Sequence, residues 1–308
     1  MSFDRLQDLI KEKKNPTVAG LDPKPEYVPA HILKESLAKY GESLEGAADA
    51  IFQFNKGLID ALCDIVPAVK PQAAYYERLG WQGMKVMDET IRYAQSKGMF
   101  VMADVKRGDI GSTAQAYSDA WIGKTQVGDS ALPAFNADCL TINGYMGSDT
   151  ITPFLETCRA EDKCLFTLVK TSNPSSGDLQ DMAVADSRVV YQVVGDLNES
   201  LGKDAIGKYG YTPCGAVVGA TYPAELNSLR KRLEHTFFLV PGYGAQGGTA
   251  EDVSNAFDKD GHGAIVNASR SIMCAWKKTG HDGLDFADAS RNAAIAMRDD
   301  IARFVTVL

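Results

Sequence analysis

Residues 99–113 read MFVMADVKRGDIGST, and this stretch decides the fold that the sequence predicts. It opens with an apolar run, MFVMADVK at 99–106, of the kind that forms a buried strand in a parallel sheet. Gly108 then allows a turn, and helical spacing begins at residue 112. The stretch is therefore one β/α unit, with charged side chains standing where its strand ends.

The same unit recurs along the chain. Eight short apolar runs end in polar residues or in Gly and Pro, and they alternate with eight stretches of helical spacing. The runs cover residues 17–22, 67–72, 99–106, 139–143, 164–172, 214–221, 237–242 and 263–269. The helical stretches cover residues 44–65, 81–97, 112–122, 148–158, 183–200, 222–234, 249–258 and 284–305. Eight units of the α/β class predict a closed (β/α)8 TIM barrel, with an open doubly wound sheet as the alternative.

The length of the chain and its lack of repeats or linkers predict the domain organisation. The 308 residues contain no identical repeat, low-complexity tract or linker-like run, so we expect one barrel domain over residues 1–308. Two connections are long, at 23–66 and 173–213. The second opens with NPSSGD, which is typical of a flexible lid over a site.

Charge and hydropathy narrow the class of partner. The chain has 32 Lys and Arg against 40 Asp and Glu, a net charge of −8, which argues against nucleic acid and anionic membranes as partners. No apolar run reaches the roughly 18 to 20 residues of a membrane span, and residues 1–15 lack a signal-peptide core. These features predict a cytoplasmic protein that binds a small molecule.

Cysteine and histidine spacing gives no sign of a metal site. The six cysteines form no C-x-x-C pair, and most lie in apolar stretches, so we expect reduced, buried thiols. The four histidines show no ligand spacing and none follows a predicted strand. Metal chemistry and a Ser/His/Asp triad are both disfavoured.

Reactive side chains stand where the predicted strands end. In a closed barrel the carboxyl ends of the strands meet at one mouth, which is where barrel enzymes place their active sites. The residues at these ends are Asp22, Lys70, Asp104, Lys106, Asn143, Ser172, Pro241 and Arg270.

The segment MADVKRGDIGST at 102–113 is the centre of the predicted site. Because alternate strand residues share a face, Asp104 and Lys106 should point together into the mouth. Gly108 places Asp109 one step further along, at the entrance to the next helix, with Thr113 a turn beyond it. The alternative is a solvated strand-end ion pair, worth about 0 to 1 kcal/mol.

The last two loops of the barrel suggest a phosphate site. VPGYGAQGG at 240–248 and NASRSI at 267–272 combine backbone N–H groups around Gly247 and Gly248 with Gln246 and the Arg270 guanidinium. The same loop also spells the dinucleotide fingerprint G-x-G-x-x-G, but no acidic residue ends the following strand. A nicotinamide-binding hypothesis therefore stays open as an alternative.

Six motifs carry a resemblance to a known family. They are GLDP (20–23), VKPQAAYYE (69–77), DVKRGDI (104–110), VKTSNP (169–174), VPGYGAQGG (240–248) and NASRSI (267–272). In this order they resemble the orotidine 5′-phosphate decarboxylase family, specifically its longer bacterial-type branch. The resemblance implies a homodimeric barrel that makes UMP and CO₂ in pyrimidine synthesis without a metal or organic cofactor.

The resemblance also implies a role for each matching residue. It assigns Asp22 and Lys70 to the ribose side, where they complete the charged array, and Asp104 and Lys106 to the reacting carbon. It assigns Asp109, Ile110 and Thr113 to the neighbouring subunit's site, Ser172 to the pyrimidine edge, and Gln246 and Arg270 to the phosphate. Pro241 at its strand end and Gly247 in the phosphate loop are expected to contact the substrate because of their positions. Loss of CO₂ from C6 of a pyrimidine leaves a localised carbanion, which an ammonium at Lys106 could stabilise and then protonate. Two other functions stay open: a Schiff-base aldolase-type barrel acting on a sugar phosphate, and a non-catalytic phosphate-binding sensor.

Overall fold

The computed structural model describes residues 2–244 and 246–308 and contains a closed barrel of eight parallel strands. The strands along the chain are β1 (Thr17–Leu21), β2 (Ala68–Pro71), β3 (Phe100–Arg107), β4 (Thr125–Val127), β5 (Ser130–Leu132), β6 (Cys139–Ile142), β7 (Cys164–Lys170), β8 (Cys214–Val218), β9 (Phe238–Val240) and β10 (Ala264–Ala268). The barrel omits β4 and β5, which form a separate antiparallel hairpin, and closes by pairing β1 with β10. The predicted (β/α)8 barrel is confirmed, and the open sheet was the wrong alternative.

The described residues contain thirteen α-helices. Eight of them overlap the predicted stretches, and five, at Ser2–Lys13, Ala30–Tyr40, Ala73–Glu77, Gly177–Gln180 and Arg270–Met273, were not predicted. The thirteen helices are α1 (Ser2–Lys13), α2 (Ala30–Tyr40), α3 (Leu44–Leu62), α4 (Ala73–Glu77), α5 (Gly80–Ser96), α6 (Gly111–Trp121), α7 (Ser148–Glu161), α8 (Gly177–Gln180), α9 (Val190–Gly202), α10 (Pro223–Arg232), α11 (Ala250–Ser254), α12 (Arg270–Met273) and α13 (Phe286–Ile301). None of those described is long and apolar enough to cross a membrane.

One helix begins later than its pattern predicts. α9 starts at Val190 rather than at residue 183, because the preceding residues make other structure. A 3-10 turn at Pro174–Ser176 and the short α8 come first, followed by a bridge between Ala183 and Val189. Residues 173–181, which we call the cover segment, therefore have a defined conformation rather than that of an open loop.

The amino-terminal helix α1 seals one end of the barrel. Phe3, Leu6 and Ile10 are buried against the side chains that fill the barrel interior, and Phe3 stacks on Phe237 with 4.7 Å between ring centroids. Burial of apolar surface of this kind is the main stabilising contribution to such an end cap. The sequence pattern of residues 1–15 is thus that of a plug helix, and the opposite, carboxyl-terminal end of the barrel is left open.

The cysteines follow the prediction in part. All six lie among the described residues and all are free thiols. Cys139, Cys158, Cys164 and Cys214 are buried, whereas Cys63 and Cys274 are partly exposed. The expectation of buried thiols was therefore wrong for the last two, which lie at helix ends rather than in the barrel.

Candidate active site

The open end of the barrel holds a cleft with two connected compartments. The first compartment has a volume of about 470 Å³ and the second about 350 Å³. Lys70, Asp104 and Pro241 border both, so the two compartments meet at a pair of charged side chains. The first is otherwise bordered by Lys106, Thr141, Ser172 and Gln180 and by the apolar Leu168, Val217 and Leu239, and the second by Asp22, Tyr75, Gln246, Asn267 and Arg270.

Asp104 is the hub of this junction. One of its carboxylate oxygens, Oδ2, accepts hydrogen bonds from Lys70 Nζ at 2.8 Å and from Gln72 Nε2 at 2.9 Å. The other, Oδ1, accepts from Lys106 Nζ at 2.6 Å and from Thr141 Oγ1 at 2.8 Å. Four donors from three strands and one loop thus fix both oxygens, as the convergence of strand ends on one mouth predicts.

Burial and charge together keep this array ionised. Burial acts to raise the pKa of Asp104, but Lys70 and Lys106 outweigh it and hold that pKa far below its usual value. Burial likewise acts to lower the pKa of Lys70, yet Asp104 and Asp22 raise it above its ordinary value. The side chains of Lys70 and Asp104 are only 6% and 9% exposed. The alternative ion pair of Lys106 with Asp104 does form, at 2.6 Å, and the Lys106 side chain is 46% exposed. Asp104 is nevertheless buried and also bonded to Lys70, so the pair is not a simple solvated one.

Lys106 reaches this position through an irregular stretch of strand. The pairing of β3 with β6 shifts register between Ala103 and Arg107, and Lys106 has a backbone φ of +46°. A non-glycine residue in this left-handed region stores about 1 to 3 kcal/mol of strain and is commonest at functional sites. Thr141 Oγ1 holds the distortion, since it accepts the backbone N–H groups of Val105 and Lys106 at 3.0 and 2.9 Å.

Thr141 was not among the predicted site residues, and its role leads to a prediction. A Thr141→Val variant keeps the shape but loses the acceptor for two amides and a donor to Asp104, so Lys106 should be misplaced. Misplacement by about 1 Å costs up to about 100-fold in rate, and we expect kcat to fall roughly 10- to 100-fold with little change in KM. Steady-state kinetics test this, with Thr141→Ser, which keeps the hydroxyl, as the control. Equal kcat values for the Val variant and the unmodified protein would refute it.

Asp22 lies just beyond β1 and borders the second compartment. Its Oδ1 atom is buried and has no hydrogen-bond partner among the described residues. A buried acceptor without a donor costs about 1 to 3 kcal/mol. The atom is therefore suited to accept a hydrogen bond from a ligand hydroxyl, in agreement with the predicted ribose contact.

Only some of the residues predicted to bind phosphate border the second compartment. Gln246 and Arg270 do so, and the Arg270 guanidinium has no ion-pair partner within residues 2–244 and 246–308. The N–H groups of Gly247 and Gly248, however, donate within the loop, to Gly244 and Gly242 carbonyls. Those two amides are not open to a ligand in this conformation, so the contact through Gly247 stays a prediction. Ala245 of the same loop lies outside the described residues.

Ser172 and Pro241 both border the first compartment, as predicted. Ser172 follows β7, and its backbone packs closely on Gly219, where an added Cβ would lie 3.0 Å or less from Ser172 atoms. Because Gly219 after β8 has no side chain, the loop after β7 that contains Ser172 can pack closely against it at the mouth of the barrel. Asn143, in contrast, is not among the described residues that border either compartment, and its Oδ1 accepts the Tyr145 N–H. Thr141, which lies two residues earlier and within β6, borders the first compartment instead.

Three predicted residues do not border the cleft of their own chain. Asp109, Ile110 and Thr113 are missing from the described borders of both compartments. Ile110 is 62% exposed, and Asp109 Oδ1 accepts the Ile110 N–H at 2.8 Å. Their role in a neighbouring subunit's site stays a prediction.

The glycine fingerprint that begins at Gly242 lies in an unfavourable part of the fold for a dinucleotide. That motif belongs to the first strand–helix crossing of an open sheet, whereas here it follows β9 in a closed barrel. The closed barrel therefore does not favour the nicotinamide alternative.

Comparison with known proteins agrees with the geometry. Residues 48–279 match the model of the "Orotidine 5'-phosphate decarboxylase / HUMPS family". The chain is 44% identical over 301 residues to an orotidine 5'-phosphate decarboxylase of Rhodopirellula baltica, covering 96% of this chain and 97% of the relative. A Clostridium botulinum orotidine 5'-phosphate decarboxylase is 41% identical, with 97% and 98% covered. The solved structure of Leishmania donovani OMP decarboxylase matches with a TM-score of 0.69 and 30% identity, covering 97% and 98%.

Proposed function

The chain belongs to the orotidine 5'-phosphate decarboxylase / HUMPS family, and from this premise we propose that it converts orotidine 5′-monophosphate into UMP and CO₂ in pyrimidine synthesis. The observation that carries the proposal is the two-compartment cleft with Lys70, Asp104 and Lys106 at its junction. The cleft thus has three parts in a row: the first compartment, the charged junction and the second compartment. A nucleotide likewise has three parts in a row: base, ribose and phosphate.

The chemistry of each compartment suits one end of that substrate. Leu168, Val217 and Leu239 give the first compartment an apolar wall against which a pyrimidine ring can lie, and Ser172 offers a polar edge. Arg270 gives the second compartment a guanidinium for the phosphate dianion. Asp22, with its buried Oδ1 atom, also borders the second compartment and would accept a ribose hydroxyl.

Lys106 is the group that we place at the reacting carbon. Loss of CO₂ leaves an electron pair on C6 with no neighbouring electron sink, so the site must stabilise localised negative charge directly. The Lys106 ammonium lies 2.6 Å from Asp104 and is 46% exposed on its open side, which leaves room for the ring. Fixed in this way, it stabilises the developing charge and then donates a proton to C6 as the general acid.

Asp104 has a second effect on the bound substrate. Since Lys70 and Lys106 hold its pKa far below the usual value, Asp104 is ionised at neutral pH. A substrate carboxylate placed beside it would meet like charge, and that repulsion ends when CO₂ leaves. Asp22, Asp104 and a partner subunit's Asp109 would carry three negative charges, and Lys70 and Lys106 two positive ones. The array would therefore have a net charge near −1, so the binding free energy for an anionic substrate must come largely from the phosphate end.

We also propose a homodimer in which each mouth is completed by its partner. Asp109, with Ile110 and Thr113, stands beside the mouth but does not border the cleft of its own chain. The 62% exposure of Ile110 leaves an apolar side chain for a partner to cover. The partner's Asp109 would then place a second carboxylate on the open side of Lys106.

We further propose that the protein works in the cytoplasm and without a metal or organic cofactor.

Phosphate binding gives a direct prediction. Arg270→Ala should raise KM for orotidine 5′-monophosphate by about 100-fold or more, because a charge-assisted bidentate contact is lost. Steady-state kinetics check this, with Arg92→Ala on the outer face of α5 as the matched control. If KM is unchanged in the Arg270 variant, the phosphate assignment is wrong.

The activity itself is tested by a cofactor-free absorbance assay on orotidine 5′-monophosphate with a chelator present. Release of CO₂ and formation of UMP support the proposal. Binding of UMP without turnover would instead support a non-catalytic phosphate sensor.

The Schiff-base alternative needs a neutral amine as nucleophile, whereas the 2.6 Å contact of Lys106 with Asp104 suits an ammonium. Borohydride trapping of a substrate adduct on Lys106 would favour that alternative.

A further inference from the structure

Lys170, the last residue of β7, is a buried charge to which the mechanism above gives no role. Its side chain is 0% exposed, and its Nζ atom lies 2.5 Å from Oδ1 of Asp181. Asp181 belongs to the cover segment, and its own side chain is 47% exposed. A lysine is almost never fully buried unless it is paired, so this ion pair fixes one end of the cover segment to the barrel wall.

The surroundings of Lys170 strengthen that attachment. Its ammonium lies 4.5 Å from the ring centroid of Tyr222 and 5.3 Å from that of Tyr191. Two aromatic faces stabilise a desolvated cation, and Tyr222 also accepts a hydrogen bond from Ser176 of the cover segment. The ammonium is therefore held on the barrel side, where it anchors Asp181.

Gln180, next to Asp181, makes the second attachment. Its Oε1 atom accepts the backbone N–H of Thr171 at 3.0 Å, and its Nε2 atom donates to Thr171 Oγ1 at 2.8 Å. Because a backbone N–H can only donate, the first contact fixes which end of the amide is oxygen. Gln180 borders the first compartment, beside Ser172.

The amide keeps one N–H and one oxygen lone pair beyond its bonds to Thr171. A uracil edge presents a carbonyl acceptor next to an N–H donor, which is the complementary pair. We propose that Gln180 is a base-recognition residue, and that Lys170 and Asp181 are positioning residues that hold it at the first compartment. This inference rests on the proposed function, since it takes the first compartment to be the pyrimidine site.

The experiment compares two probes by calorimetry: UMP, and ribose 5-phosphate, which lacks the base. For Gln180→Ala we expect UMP to bind about tenfold more weakly, with ribose 5-phosphate unchanged within about twofold. Asp181→Asn should give the same selective loss, because one of the two attachments that position Gln180 is weakened. The double variant should lose little more than either single variant, since both act through one contact. Asp178→Asn, an exposed carboxylate of α8, is the matched control and should bind both probes normally.

The outcomes separate this inference from the proposed function. If Gln180→Ala leaves UMP affinity unchanged, or weakens both probes equally, Gln180 does not recognise the base and the inference is overturned. If Asp181→Asn binds UMP normally, the positioning role of Lys170 and Asp181 is overturned. Decarboxylation by the unmodified protein is measured in the same preparation. Its absence counts against the proposed function, whereas selective loss of UMP affinity in an active enzyme's variants supports the inference.

Discussion

Replacing Lys106 by alanine is expected to slow decarboxylation of orotidine 5′-monophosphate by about five orders of magnitude while UMP still binds. The variant loses both the charge that stabilises the C6 carbanion and the proton that quenches it. The main anchors for the product remain, because the apolar wall of the first compartment and Arg270 of the second do not contact Lys106. Asp104 also keeps its bonds to Lys70, Gln72 and Thr141, so we expect the barrel to stay folded.

Initial rates by absorbance and UMP affinity by calorimetry measure the two halves of this prediction. Lys85→Ala is the matched control, since Lys85 is 64% exposed on α5 and pairs with Glu89 one turn away. That control should have the rate of the unmodified protein. A Lys106→Ala variant within tenfold of that rate would eliminate the proposed mechanism.

Mixing two inactive variants is expected to restore about a quarter of the unmodified activity. Asp109→Asn and Lys106→Ala should each be nearly inactive as a homodimer, because every mouth then lacks one member of the array. In a mixed dimer, one mouth combines Lys106 from one chain with Asp109 from the other and is intact. Half of the randomly formed dimers are mixed, and each has one working site of two, which gives about one quarter.

Co-refolding or subunit exchange of the two purified variants, followed by the absorbance assay, measures this recovery. Lys106→Ala mixed with the double variant Lys106→Ala/Asp109→Asn is the control, since no combination of those chains contains Lys106. If the first mixture gains no activity although mixed dimers form, Asp109 acts within its own chain or not at all.

The sequence predicted the barrel because its signal is periodic and repeated. Eight apolar runs separated by helical spacing leave few ways to bury both faces of each strand, and closure satisfies all of them. Asp22, Lys70, Asp104 and Arg270 could be assigned to the mouth for the same reason, because a strand end fixes where its side chains go. The plug helix at Ser2–Lys13 was not predicted, since its burial depends on Phe166 and Phe237 far along the chain.

What the sequence did not reveal depends on contacts between distant segments. Strand alternation correctly placed Asp104 and Lys106 on one face, but the register shift and the left-handed backbone at Lys106 depend on Thr141 of the neighbouring strand. Gln72 and Gln180 were not predicted as site residues, because the sequence does not show that their partners are Asp104 and Thr171. For Thr141 a signal existed: it alternates with Cys139 on a strand whose inward face ends in the mouth.

The loop around Gly247 shows a different limit. Glycine spacing indicated free amides for a phosphate, yet the turn uses the N–H groups of Gly247 and Gly248 for its own hydrogen bonds. Spacing specifies that a tight turn forms, but not which donors it leaves over. We therefore propose Arg270, which borders the same compartment, rather than these two amides as the main phosphate contact.

A crystal structure of the protein with bound UMP is the decisive test of the role of Lys106. We predict Lys106 Nζ within about 3.5 Å of C6 of the pyrimidine, still bonded to Asp104 and facing the ring edge from which CO₂ departs. An amine turned toward solvent, with another group or only water beside C6, would show that Lys106 is not the proton donor.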